Sequence, residues 1–411
     1  MEKLYRDAKT LVEQSIKENM PQAAVHNALK NHAFGGAVYA LAIGKAAWTM
    51  AQAARESLGD RIKKGIVITK YGHAAGPVPG FDVYEAGHPL SDENTIMATG
   101  RAIELAESLK EGDELLFLIS GGGSALFEKP LPGLSLDDIV DVNNQLLASG
   151  ADIVEINMIR KRLSSVKAGR FARLCAPARV FTVVLSDVLG DRLDSIASGP
   201  AAPDLSTAGE ALAVAEKYGL NLSKKMRDYL EEETPKSLDN VETVITGSVR
   251  TLCESAAGIA AGLGYTPHIL SADMNCEARE AGRLIASMAR QIKYRPNPPC
   301  AVILGGETVV HLKGSGKGGR NQELALAAAE GIAGLKGLLI FSFGSDGTDG
   351  PTDAAGAWVD GATAGKLAEK GLRIQDVLDN NDAYHALDAI DALIKTGPTG
   401  TNVNDIAVIL A

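Results

Sequence analysis

The sequence predicts an α/β protein in two domains, and three observations predict it. Short β-branched runs end in glycine-rich loops. Between the runs lie amphipathic stretches with apolar residues at helical spacing. Strand–helix–strand alternation of this kind implies a parallel sheet covered on both faces. The third observation is the segment EEETPKSLDN (231–240), which is charged, carries Pro235 and has no apolar period. It reads as a boundary, giving domains over residues 1–235 and 236–411.

The predicted strands of the first half are VYALAI (38–43), GIVIT (65–69), DVYEA (82–86), ELLFLI (114–119) and VFTVVL (180–185). NTIMATGRAIELAESLK reads as a helix between the third and fourth. Past the boundary come ETVIT (242–246), HILSA (268–272), AVILG (301–305), TVVHLK (308–313), LLIFSFG (338–344) and IAVIL (406–410). Only Gly306 and Glu307 separate AVILG from TVVHLK, so the two are expected to form a hairpin, which makes the second sheet mixed. KYRPNPPC (293–300) reads as a rigid surface loop.

Composition narrows the function. The 411 residues are 45% hydrophobic and 22% charged, enough for two cores and against wholesale disorder. A net charge of −10 argues against nucleic acid or an anionic membrane as partner, while leaving room for a small anion held by local basic groups. Cys175, Cys253, Cys276 and Cys300 form no CxxC pair, so a zinc or iron–sulfur cluster is not expected, and reduced thiols are. The N-terminus lacks an apolar signal core, and no apolar run approaches ~18 residues. A soluble cytoplasmic protein, monomer or homodimer, is the expectation.

Ligands of open α/β sheets bind beyond the carboxyl ends of strands, so the residues after each strand carry the argument. Ser120, Gly121, Gly122, Gly123 and Ser124 follow one strand. Three consecutive glycines exceed what a tight turn needs and suit backbone amides pointed at an anion, helped by a following helix N-terminus. Lys45 follows Gly44 at a predicted helix start, where a bound anion would explain it and a solvated lysine would explain it equally well. KGSGKGGRNQ (313–322) sets Lys313, Lys317 and Arg320 among four glycines, a nest suited to polyphosphate or a flexible lid. Gly314, Gly316 and Gly319 also satisfy GxGxxG, but no acidic residue stands about 20 residues on, which argues against a nicotinamide site. Asp346, Asp349 and Asp353 follow another strand, and Asp187, Asp191 and Asp194 a third. Such carboxylates hold Mg²⁺, accept a hydroxyl proton, or merely make turns. MIRKRLSSVKAGR (158–170) places Arg160, Lys161, Arg162, Lys167 and Arg170 on one predicted helix, mostly as a solvated face. His88 reads as structural. GxSxG and Walker A patterns are absent, and nothing suggests a covalent nucleophile. The inventory fits phosphoryl transfer in a cleft between domains.

The blocks AIGKAA, EAGHPLSDENT, LISGGGSALF, LSDVLGDRLDSIASGP, GGETVVHLKGSGKGGRNQELALA and FSFGSDGTDGPTDAAGA, in this order, resemble the class II glycerate kinases, or glycerate 2-kinases. The resemblance implies an N-terminal Rossmann-like domain and a C-terminal mixed-sheet domain with a MOFRL region over about 300–405, the active site lying between them. It implies transfer of the ATP γ-phosphoryl group to the 2-hydroxyl of D-glycerate, with Mg²⁺. The family's catalytic lysine falls on Lys45, its key arginine on Arg320 and its glycine loop on Ser120 to Ser124. Asp187, Glu307, Asn321, Asp346 and Asp349 match family positions lining the cleft. Asp187 is expected in catalysis, Glu307, Lys317 and Asn321 in binding, and Asp346 and Asp349 at the metal. Two positions depart from the pattern: Arg162 stands where the family has histidine, and Ala168 where a second glycine is common. The rival readings are a hydroxypyruvate reductase, a kinase for a related sugar acid, and a non-catalytic metabolite sensor.

Overall fold

The computed structural model describes residues 1–293 and 299–411. The loop expected at 293–300 falls mostly outside the described residues. The chain forms two compact units, one of residues Ala24–Thr246, the other of Met1–Ala23 with Gly247–Ala411.

The Ala24–Thr246 unit is built on β1 (Val38–Ile43), β2 (Ile62–Lys70), β3 (Phe81–Ala86), β4 (Glu114–Ile119), β5 (Arg179–Leu185) and β6 (Val241–Gly247). Their order is β3-β2-β1-β4-β5-β6, and the pairs from β3 to β5 are parallel. This is the Rossmann order, with its switch point between β1 and β4. All six residues of β4 are buried, as expected of a central strand sandwiched by helices. Phe117, Phe127 and Phe171 pack against one another beside it. The helices Leu136–Ala148, Ile153–Leu163, Ala208–Lys217 and Lys224–Glu231 bury a separate core around Leu146, Ile159 and Leu230.

Two expectations about the boundary meet a different structure. The strand expected at 242–246 in the second half is β6, hydrogen-bonded to β5 in the first sheet. The segment before it is packed, not a free linker. Pro235 O accepts from Asp204 N–H at 3.0 Å, and Thr234 Oγ1 donates to Asp204 Oδ2 at 2.8 Å. Most of its charged residues are exposed, as their charge suggested, but Glu233 lies 3.6 Å from the buried guanidinium of Arg162. The N-terminal helix Glu2–Glu18 goes with the other unit, where it packs on the helix Val249–Gly262. Tyr5 Oη donates to Asp360 Oδ2 and Tyr265 Oη to Asp7 Oδ2.

The second sheet comprises β7 (Thr266–Met274), β8 (Cys300–Gly306), β9 (Leu339–Gly344), β10 (Gly356–Asp360), β11 (Leu393–Ile394) and β12 (Asp405–Leu410), in the order β11-β10-β9-β12-β8-β7. Only β7 and β8 are parallel, so the sheet is mixed as expected. The reason differs from the expected one. TVVHLK is not the second arm of a hairpin: β8 lies between β7 and β12, and the chain beyond it runs beside residues 274–278. Glu307 N–H donates to Met274 O, Val309 N–H to Cys276 O and Ala278 N–H to Val309 O. Among the described residues no helix is long and apolar enough to cross a membrane.

Candidate functional site

The switch point brings together the ends of β1 and β4. Ile43 leads into Gly44 and Lys45, and Ile119 into Ser120–Ser124. The two turns are tied to each other. Lys45 N–H donates to Gly121 O at 2.9 Å, Ala46 N–H to Ser120 Oγ at 3.1 Å, and Ser120 N–H to Ile43 O at 3.0 Å. Gly44, at φ 108°, cannot carry a side chain, because a Cβ would collide with Ser120. A Cβ on Gly121 would strike Asp187 Oδ2; one on Gly122 would lie 3.0 Å from the His88 ring and 3.3 Å from Lys45 Cε. Lys45, His88 and Asp187 therefore all lie against the glycine loop. Lys45 is exposed, and the other two are half-buried.

The electrostatics suit an anion. Burial first, then the charges of Lys45, Lys70 and His73, push the His88 pKa below its ordinary value. His73 Nδ1 lies 3.1 Å from Lys45 O. One expectation fails here: the helix after the loop, Gly123–Leu126, is a single turn of four residues. It carries almost no macrodipole, so backbone amides and side chains supply the positive potential.

Arg320 opens the helix Arg320–Gly331 in the other unit. Its Nε and Nη2 donate to Asp405 at 2.5 and 3.1 Å, and its Nη1 donates to Glu307 Oε1 at 2.8 Å. Asn404 Nδ2 also donates to Glu307, at 3.1 Å. Burial acts to lower the Arg320 pKa, but Asp405, Glu307 and Asp349 outweigh it and raise it. A guanidinium held from two sides presents one fixed orientation. Asn321 is buried, with its amide between Asp349 and the Ser342 hydroxyl, so it holds the helix start rather than facing a ligand.

Asp346 and Asp349 separate in role. Asp349 is 2% exposed and accepts from Asn321 N–H at 3.1 Å and Gln322 N–H at 2.9 Å, capping the helix where Gly319 has no side chain to do so. A Cβ on Gly319 would collide with that carboxylate. Burial drives the Asp349 pKa up to about 7 against these amides. Both carboxylate oxygens of Asp349 are engaged by helix amides, so in this structure it serves as the cap. Asp346 is half-buried, and its Oδ1 accepts from Thr348 N–H at 3.0 Å. A Cβ on Gly344 would lie 3.3 Å from it and 3.1 Å from Asp405 Oδ1, so these two carboxylates face one point. Among the described residues no three His, Cys, Asp or Glu side chains are grouped to hold a metal ion.

The GSGKGG loop is not an open nest. Lys313 N–H and Gly314 N–H donate to Asn381 Oδ1, Ser315 N–H to Asn380 Oδ1, Gly316 N–H to Asn380 O, and Lys317 N–H to Asp382 Oδ1. Cβ atoms on Gly314 or Gly316 would run into residues 380–382. The glycines serve close packing within the unit, which removes the dinucleotide reading of GxGxxG. Lys317 leans on Tyr384, its Nζ 4.5 Å from the ring centre, and does not join the Arg320 cluster.

The basic run is also different from expectation. The helix Ile153–Leu163 ends before Lys167 and Arg170. Lys161, Arg162 and Lys167 are buried, not solvated. Lys161 pairs with Asp194 and Asp204, Arg162 with Asp204 and Glu233, and Lys167 with Glu128.

Residues 7–231 match the family model described as a domain of unknown function, DUF4147, and residues 300–405 match the MOFRL family. D-glycerate 2-kinase of Thermotoga maritima is 52% identical, over 99% of this chain and 98% of its own. A crystal structure of glycerate kinase from Thermotoga maritima superposes with a TM-score of 0.96, at 52% identity and with 100% of each chain covered. Glycerate 2-kinase of Pyrococcus horikoshii is 40% identical over 97% of this chain and 95% of its own. The chain belongs to the class II glycerate kinases. More distant relatives from Agrobacterium vitis, 38% and 39% identical, are provisionally named for hydroxypyruvate reduction.

Within this family the two departures read as local packing. Arg162 is fully buried and donates to Ser206 O and Ser206 Oγ at 2.8 and 2.9 Å. Ala168 adopts φ 55°, a conformation glycine takes without strain. Sequence reasoning read His88 as structural and did not single out Asp405, Asn404 or the Asn380–Asp382 clamp. The run NVND before an apolar strand was the available signal for Asp405, since a polar run that opens a buried strand calls for partners.

Proposed function

We infer that this chain transfers the γ-phosphoryl group of ATP to the 2-hydroxyl of D-glycerate, giving 2-phosphoglycerate and ADP. The observation that carries the reading is the gathering of Lys45, His88 and Asp187 around Ser120–Ser124 at the switch point. A cation, an anion-holding loop and a proton acceptor are what phosphoryl transfer to a hydroxyl requires. The names of the relatives at 52% and 40% identity support the 2-hydroxyl.

In this reading the loop amides hold an anionic group of a substrate. Lys45 and Arg320 stabilise charge on the transferring phosphoryl group, and Asp405 and Glu307 keep Arg320 oriented. Asp187 accepts the hydroxyl proton. Asp346 is the carboxylate available to Mg²⁺, which when bound neutralises phosphate charge. Lys317 and Asn321 keep supporting roles, through the packed loop and the helix start. The reductase reading loses the sequence feature that suggested it, because the glycines of the dinucleotide pattern pack on residues 380–382. Free thiols at Cys175, Cys253, Cys276 and Cys300 suit a cytoplasmic setting.

The test is ADP release from MgATP with D-glycerate. Lys45→Ala and Arg320→Ala should each lose at least ~10²-fold in turnover with the fold intact. Near-wild-type turnover in either variant contradicts the assignment.

A further inference from the structure

Five basic residues lie between 160 and 170, and four of them have partners that account for their burial. Lys161, Arg162 and Lys167 each pair with carboxylates. Arg170 donates to the carbonyls of Lys161 and Ser164, both at 2.7 Å. Arg160 does not follow this pattern. Among the described residues it has no ion pair; its Nη2 makes one long hydrogen bond, 3.4 Å, to Ser124 O, and its buried Nε has no partner.

Its surroundings sharpen the point. Ser124 O also accepts from Lys167 Nζ at 2.9 Å, and Lys167 is paired with buried Glu128. Two cations and one carboxylate therefore stand behind the last residue of the glycine loop. Burial works against the charged form of Arg160, with Glu128 alone acting the other way. A desolvated cation with no acid of its own is costly, and one oxyanion from outside would balance it. The guanidinium fork suits a carboxylate or phosphate edge, and Arg160 is half-buried, not sealed. One turn earlier on the same helix face, Asn157 accepts from Ser198, whose hydroxyl meets that of Ser124 at 3.0 Å.

We propose that Arg160 binds a substrate oxyanion at the Ser120–Ser124 loop, supplying a cation that makes no ion pair among the described residues. The oxyanion is the carboxylate of the hydroxy acid or a phosphate of the nucleotide. The inference rests on the kinase reading, and its test separates the two. Wild-type protein, Arg160→Lys and Arg160→Met are assayed with each substrate varied in turn. Loss of one charge-assisted hydrogen bond predicts a KM at least ~10-fold higher for one substrate in Arg160→Met, with kcat within ~3-fold and partial recovery in Arg160→Lys. A rise for D-glycerate identifies the carboxylate, and a rise for ATP the phosphate. Unchanged KM values for both, or a fall in kcat alone, overturn the proposal. If Arg160→Met fails to fold, arginine-specific labelling of wild-type protein with peptide mapping decides. Arg160 should be protected by saturating D-glycerate or MgATP, and equal labelling with and without both overturns it. A wild-type protein that releases no ADP defeats the kinase reading instead; labelling with and without inorganic phosphate then tests Arg160 by itself.

Discussion

Replacing Asp405 by Asn tests how Arg320 is held. The substitution preserves shape and removes the charge from the two-point contact at 2.5 and 3.1 Å. Hydrogen bonds to charged groups contribute about 1.5–3 kcal/mol and neutral ones about 0.5–1.5, so the pair loses about 2 kcal/mol. The new amide N–H₂ also opposes one guanidinium donor. Because the Arg320 side chain is 34% exposed and keeps Glu307, water and that partner limit the added cost. The total should be about 2–4 kcal/mol, near the low end for a broken buried pair. Urea denaturation followed by a probe in the Gly247–Ala411 part checks it. Catalytically, a misplaced guanidinium should lower kcat by about 10²-fold with little change in KM. Glu307→Gln removes a single contact to a half-exposed carboxylate and should cost about 1 kcal/mol or less. Wild-type turnover in Asp405→Asn, or a larger loss in Glu307→Gln, would refute the reasoning.

Further predictions follow from single contacts. Gly121→Ala places a methyl group against the far end of Asp187, a movable side chain, so stability should change by less than ~1 kcal/mol while turnover falls at least ~10-fold; unchanged turnover would detach Asp187 from catalysis. Gly319→Ala meets the backbone of Asp349 as well as its carboxylate and should destabilise by about 1–3 kcal/mol, measured by urea titration. Burial pushes the Asp349 carboxyl up to about 7, well above the ordinary carboxylate range. The folded state therefore holds the proton more tightly than the unfolded chain. The stabilisation is whole below pH ~4 and is lost as pH rises towards 7. Stability of wild type relative to Asp349→Asn should fall between about pH 4 and 7 and level off above that, and a flat difference would contradict the shift. Asn381→Ala removes two accepted and two donated hydrogen bonds at a residue with φ 53°, so it should cost about 2–4 kcal/mol and should raise amide exchange at Lys313 and Gly314; unaltered exchange there would deny the clamp.

Most strands were legible because their apolar runs are short and bounded by glycine. VYALAI and ELLFLI coincide with β1 and β4 residue for residue. Periodicity cannot say which sheet a strand joins, so β6 was placed in the wrong half and TVVHLK was given a hairpin partner. Leu393–Ile394, two residues, was too short to register, and Gly356–Asp360, with one β-branched residue, gave no β-branched run to mark it. The glycine loop was readable, since three glycines after an apolar strand have few other uses; Lys45 was not, because a solvated lysine explained its position equally well. The charge run was not, because a residue in an ion pair and a residue in water look alike in sequence. Asp204, which joins Lys161 and Arg162, lies more than forty residues from either. The same blindness hid Asn380–Asp382, whose turn-forming composition gave no hint that it holds the amides of a loop 65 residues away.

The most direct test of the account is one pair of assays on purified protein. One follows ADP release from MgATP with D-glycerate and identifies the phosphoglycerate isomer; the other follows NAD(P)H oxidation with hydroxypyruvate. The account predicts ADP release with 2-phosphoglycerate as product and no nicotinamide oxidation. Nicotinamide oxidation without ADP release would contradict it, and 3-phosphoglycerate as product would contradict attack by the 2-hydroxyl.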